Sequence, residues 1–164
     1  MDSTADFVIR RATVADIPAI VHHRCEMFRD MNQLTPEAYP LLAEATARYL
    51  AEEIPAGSYL AWLVTPRERP DTVVAGGGLQ LRQIAPRPDE DGNLLKPGPQ
   101  GLVVNVYTEQ EWRRSGLGEL VMSAIIEWSR ANGVVSLVLH ASSMGRPLYE
   151  KLGFTPTNEM SLPL

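Results

Sequence analysis

The chain has 164 residues, 45% hydrophobic and 21% charged, with a formal net charge of −5, so a single domain over residues 1–164 is expected, and a disordered chain, a collagen-like repeat and a coiled coil are excluded. The acidic balance argues against a nucleic-acid partner, and the lone Cys25, with only His22, His23 and His140 beside it, allows no internal disulfide and gives no metal-ligand spacing. The start is polar and lacks the regions of a signal peptide, and no apolar run nears the ~18 residues of a membrane span, so a cytoplasmic protein with no membrane partner is expected.

Phe7, Val8 and Ile9 open a short strand, and Thr13 stands three residues before Asp16, the spacing of a capping box. Ile17, Ile20, Val21 and Phe28 follow at helical spacing and predict a helix over 14–31. Leu41, Leu42, Ala45 and Tyr49 predict a second helix over 36–53, ended near Pro55 and Gly57. The period then changes. Tyr59 to Val64 is a short apolar run bounded by Gly57 and Pro66, and reads as a strand. Residues 72–82 read as another, in which Gly76, Gly77 and Gly78 predict a bulge or a close backbone contact. Residues 86–101, rich in Pro, Gly and acid, predict a mobile surface loop. Leu102 to Thr108 is a strong strand, 109–115 a polar turn, and 116–131 a helix with Leu117, Leu120, Val121, Ala124 and Trp128 on one face, closed by Asn132 and Gly133. Val134 to Leu139 reads as a buried strand, Ser142 or Ser143 as the cap of a short helix through Leu152, and 154–162 as a last strand. The alternation predicts an α/β sheet with helices on both faces.

The most informative segment is Arg113, Arg114, Ser115, Gly116, Leu117 and Gly118, between a strand and a helix. The first N–H groups of a helix lack internal partners and carry partial positive charge. Two glycines let an anion approach them, and two arginines add charge, which together suit a pyrophosphate. Other phosphate motifs fail. A P-loop needs Gly-Lys, absent from this chain, and a dinucleotide fingerprint needs a third glycine where Val121 stands.

The run from Val106 through Tyr107, Thr108, Glu109 and Arg113 to Gly118 resembles the acetyl-CoA signature of the GNAT N-acetyltransferase superfamily, with Arg113, Gly116 and Gly118 on its defining positions. Leu148, Tyr149, Gly153 and Phe154 resemble that family's second hallmark, and Ile9 to Asp16 its usual start. The resemblance runs from Phe7 to Leu162. It implies a mixed, largely antiparallel sheet of six to seven strands, splayed at the acetyl-CoA site. It implies acetyl-CoA as cofactor, held by Val106, Tyr107, Thr108, Arg113, Arg114, Ser115, Gly116, Leu117, Gly118 and Ser142. The acceptor would be the amine of a small molecule or peptide. Val106 would lend a main-chain N–H to the thioester carbonyl, and Thr108 its main chain to the pantetheine. Where many relatives carry Asn and Ala before the tyrosine, this chain has Ser142 and Gly145, and Gln110 stands where Pro is common. Dimers are common in the family, which leaves a homodimer open, although no apolar stripe of the sequence requires one.

By the same resemblance Tyr149 is the general acid for the leaving thiolate, since a phenol stays protonated at neutral pH. The base is open between Glu109, which follows the central strand, and His140, which ends the next one. Asn105 can position a water, and Glu26 and Asp30 lie a turn apart on the first helix. Cys25, on that helix, is expected in the core, and His22 and His23 on its solvated face. Residues 22–53 hold six acids against three arginines, a hint of a cationic acceptor. Two competing readings are a CoA-binding module that has lost catalysis and a small nucleotide-binding domain.

Overall fold

The computed structural model describes residues 4–94 and 97–164. The first three residues of the polar start and residues 95–96 of the 86–101 loop lie outside the described residues. The strands are β1 (Phe7–Arg11), β2 (Tyr59–Pro66), β3 (Ala75–Arg82), β4 (Gln100–Thr108) and β5 (Ser136–Leu139). The helices are α1 (Ile17–Asp30), α2 (Tyr39–Ala56), α3 (Leu117–Ala131) and α4 (Arg146–Lys151). The strands form one sheet in the order β1-β2-β3-β4-β5, antiparallel except for the parallel pair β4 and β5.

Burial explains the layering. Every residue of β2 is buried, so the sheet is covered on both faces. Val121, Met122 and Ile125 of α3 pack with Leu60, Trp62 and Val64 on one face. Ile20 of α1 and Leu50 of α2 pack with Tyr59, Ala61 and Leu63 on the other. Alternate residues of β2 thus serve alternate cores, as the two-residue period of a strand requires. The mixed sheet with helices on both faces agrees with expectation.

Among the described residues the sheet has five strands, not six or seven. Residues 154–162 form no strand, because Pro156 removes a ladder donor and every residue from Thr155 onward is exposed; Phe154 is held edge-on to Tyr149 with ring centroids 6.0 Å apart. The helix expected from residue 36 starts at Tyr39 and runs to Ala56, where Gly57 at φ +75° ends it in the left-handed conformation that suits glycine. Among the described residues no helix is long and apolar enough to cross a membrane.

The entry to α1 is locked locally. Thr13 Oγ1 accepts the Ala15 N–H, and Asp16 Oδ2 accepts the Thr13 N–H at 2.8 Å, which completes the capping box. Arg10 clamps the same carboxylate at 2.7 and 2.9 Å. These bonds, the Arg10 one foremost, hold the Asp16 carboxyl at about 2 although partial burial opposes them. Asp16→Asn, which keeps the acceptor oxygen but removes the charge facing Arg10, should therefore cost up to about 1 kcal/mol, the worth of a partly exposed ion pair. The stabilisation is complete above pH ~4, the unfolded value, and disappears as pH falls through about 2. Urea unfolding of both proteins at pH 7 and at pH 2 checks this: the difference in stability should close at the lower pH.

Candidate active site

The β4–β5 ladder runs from Gln100 opposite Ser136 to Val103 opposite Leu139 and then stops. β4 continues alone on that side through residues 104–108 while keeping β3 on its other edge. Just past the separation, Asn105 adopts φ +55°, and the β3–β4 register shifts between Gly76 and Gly78. The bulge turns two consecutive side chains, Val104 and Asn105, toward α1 and α2: Val104 joins their core, and Asn105 bonds to Tyr59 and Arg24. Val106 then faces α3. Asparagine tolerates the left-handed region better than most residues, so its place among Val103, Val104 and Val106 is the sequence signal for this bend. The three glycines make room for it. A Cβ on Gly77 would meet Val121 of α3 at 2.6 Å, and one on Gly78 would meet the Tyr59 hydroxyl at 2.1 Å. Bulge and close contact, both read from the glycines, are present together.

Beyond β4 the chain makes one 3₁₀ turn (Gln110–Trp112) and enters α3. Arg114 at φ +63° and Gly116 at φ +81° bend it, and no side chain caps the first turn of α3. Its free N–H groups therefore point outward at the end of the same strand that separates from β5, the arrangement that binds anions. Arg114 is exposed with no partner among the described residues. Arg113 is used differently from the expectation that it strengthens this turn. Its Nε donates to the Thr108 carbonyl at 3.0 Å, Nη2 bonds to Asp30, and the guanidinium lies 5.5 Å from the Tyr107 ring centre. It therefore ties the end of β4 to α1. Ser115 Oγ donates to the Trp112 carbonyl inside the turn. Leu117 is buried beneath it, anchoring the helix start in the α3 core.

α4 lies against this helix start, since a Cβ on Gly118 would come within 3.1 Å of Leu148 Cδ2. Ser142 does not stand free: its Oγ accepts the Gly145 N–H at 3.1 Å and shapes the turn into α4. Gly145 is required, because a Cβ there would sit 2.8 Å from the Tyr149 ring. Tyr149 is half-buried, its ring packed on Phe154, and its hydroxyl has no hydrogen bond among the described residues. Burial raises its pKa.

The two candidate bases are placed differently. Glu109 Oε1 sits 2.8 Å from His22 Nε2 and 3.6 Å from His23 Nε2, against α1. His140 pairs with Glu159 at 2.7 Å, both of them largely exposed. His23 is buried, contrary to the solvated face expected, because α1 packs it on Tyr107, 5.2 Å between ring centres. Burial, with the nearby His22, pushes its pKa down to about 4. Cys25 is fully buried, as expected, and burial raises its thiol pKa.

Four of the six acids in residues 22–53 are engaged, while Glu37 and Glu52 stand exposed. Glu26 is buried and bonded to Arg29 and the Tyr39 hydroxyl, Glu44 pairs with Arg48, Glu53 bonds to Ser58, and Asp30 holds Arg113. The acid count therefore overstates the free negative charge on this side, since arginines neutralise three of the six acids.

Residues 68–156 match the family model described as an acetyltransferase (GNAT) domain. The whole fold is similar to a GCN5-related N-acetyltransferase from Ralstonia eutropha JMP134, with 26% identity and a TM-score of 0.84, covering 96% of this chain and 98% of that one. It is also similar to a protein from Clostridium acetobutylicum described as a predicted acetyltransferase with acetyl-CoA, 23% identical, TM-score 0.77, covering 96% and 95% of the two chains. A stretch of 54 residues is 35% identical to the glucosamine 6-phosphate N-acetyltransferase of Trypanosoma brucei brucei; it spans 33% of this chain and 37% of that protein.

Proposed function

This chain belongs to the GNAT family of acyl-CoA-dependent N-acetyltransferases, and from that premise we propose that it moves an acetyl group from acetyl-CoA to a primary amine by direct attack. One observation carries the reading: β4 parts from β5 after Val103 and leads within one turn to the uncapped, left-handed start of α3. These residues fit the group. The N–H groups from Leu117 onward take the pyrophosphate, Arg114 adds charge at the surface, and the free edge of residues 104–108 takes the pantetheine arm. Bound acetyl-CoA supplies a thioester, an activated acetyl group on a thiolate leaving group.

The chain's own groups do the rest. A main-chain N–H of the freed segment, with Val106 at its centre, donates to the carbonyl oxygen as negative charge develops there; such fixed donors are worth roughly 3–4 kcal/mol in other enzymes. Tyr149 offers its free hydroxyl to the departing sulfur. Direct attack is supported by Cys25, whose buried thiol is a poor nucleophile. Glu109, held beside His22 at the end of β4, is the group that receives the proton of the amine, directly or through a water. His140 is engaged with Glu159 in solvent.

Two measurements test this. Acetyl-CoA titrated calorimetrically into the protein should bind, and thiol release should depend on added amine. Binding without amine-dependent release would indicate a binding module instead. Glu109→Gln should lower kcat by about tenfold, because the site is open enough for water to replace part of a base that elsewhere contributes 10² or more. His140→Gln should leave kcat and its pH profile unchanged; the opposite pattern would move the base to His140.

A further inference from the structure

Among the described residues, Arg24 is the one charged side chain lining a cleft of about 310 Å³ between α1, α2 and the strands β2, β3 and β4, walled also by Leu42, Thr46, Tyr49, Tyr59 and Gln80. The cleft reaches β4 at Val104 and Asn105, where the strand bends. Arg24 donates Nη1–H to Asn105 Oδ1 at 2.7 Å and lies 5.0 Å from the Phe28 ring centre; no carboxylate among the described residues pairs with it. The other arginines around it are matched: Arg29 with Glu26, Arg48 with Glu44, Arg113 with Asp30. A guanidinium carries five donors, and one neutral amide oxygen uses one of them. A half-buried cation facing a largely apolar cleft calls for a counter-charge, and the planar fork of arginine fits the paired oxygens of a carboxylate or phosphate.

We propose that the acceptor is a small amine bearing an anionic group, a carboxylate or a phosphate, which Arg24 binds in this cleft while the amine reaches the bend of β4. The inference rests on the transferase reading and narrows it. The volume lies at the low end for small-molecule sites, ~300–1,000 Å³, which favours a metabolite-sized acceptor over a peptide. The amide of Asn105 is spent on Arg24 and the Tyr59 hydroxyl, so it holds the guanidinium in place. Gln80 bonds to the Tyr49 hydroxyl, placing further polar atoms in the wall.

The test uses matched pairs that differ only in the anion: glucosamine 6-phosphate with glucosamine, and phenylalanine with phenylalanine amide. Each is titrated into the acetyl-CoA-bound protein and assayed for thiol release. The anionic member of one pair should bind at least tenfold more tightly, and the pair that responds identifies phosphate or carboxylate. Arg24→Gln should abolish that preference, mainly through KM, while acetyl-CoA affinity is kept. Arg24→Lys, which retains the charge, should keep part of the preference and serves if the Gln variant folds poorly. Equal binding of both members of each pair, no binding of either anion, or a loss in Arg24→Gln shared by charged and neutral members would each overturn the proposal. If acetyl-CoA binds and neutral amines are acetylated without any such preference, only this inference fails. If acetyl-CoA itself does not bind, the transferase reading fails.

Discussion

Tyr149→Phe should lower turnover by about 10²-fold and leave the fold and acetyl-CoA affinity intact. The substitution keeps the ring on Phe154 and in the space left by Gly145. It removes only a hydroxyl that no described residue bonds, so its stability cost should be small. Burial raises the phenol's pKa, which keeps it protonated but also makes it a weaker acid. Its contribution therefore comes mainly from a hydrogen bond that strengthens as charge gathers on the departing sulfur. Hydrogen bonds to charged groups contribute about 1.5–3 kcal/mol, and the upper end of that range corresponds to 10²-fold. The measurement is kcat with a working acceptor, beside one melting curve. Wild-type turnover in the variant would leave Tyr149 as a packing residue at the edge of the site.

Gly116→Val should weaken acetyl-CoA binding by at least tenfold. Gly116 holds φ +81° at the start of α3, a conformation that a β-branched residue adopts only with strain, and its Cβ would already touch Thr4 Cγ2 at 3.4 Å. Relief of that strain turns the first N–H groups of α3 away from a common anion. Loss of one charge-assisted hydrogen bond, about 1.5–3 kcal/mol, is about ten- to hundredfold in Kd. Calorimetric titration checks it. Unchanged affinity in a folded variant would place the anion site elsewhere. Arg114→Ala should weaken binding less, and its effect should shrink as salt is raised, since an exposed charge is screened.

What could be read from the sequence was what local chemistry determines. The turn at Arg114 and Gly116 lies between a strand and an amphipathic helix, so a tight, uncapped entry to α3 followed from three adjacent elements. The glycine run at 76–78 likewise announced the bulge, because three missing side chains in one strand imply that something else fills the space. What depends on pairing across the chain was not legible. Arg113 reads as a phosphate ligand until Asp30, 83 residues earlier, is seen to hold it. His23 reads as solvated until Tyr107 covers it. The last strand failed because an apolar start at Phe154 is followed by Pro156, and no partner strand lies alongside. Arg24 carried no signal beyond being one of three arginines in its region, since its significance is the lack of an acid beside it in space. Asn105 reads in the sequence as a residue able to hold a water; its backbone proves as informative as its amide, because φ +55° is what redirects β4.

The central claim is that acyl transfer takes place at the separation of β4 from β5, directly from thioester to amine. Acetyl-CoA labelled in its acetyl group, incubated with the protein and an amine that supports thiol release, tests it by following the label into acceptor and protein by mass spectrometry. The label should appear in the acceptor as an amide, in amounts equal to the thiol released, with none on the protein. Label retained on the protein, at Cys25 or any other side chain, and then passed to the amine would contradict direct attack, and thiol release with no labelled amide would contradict transfer itself.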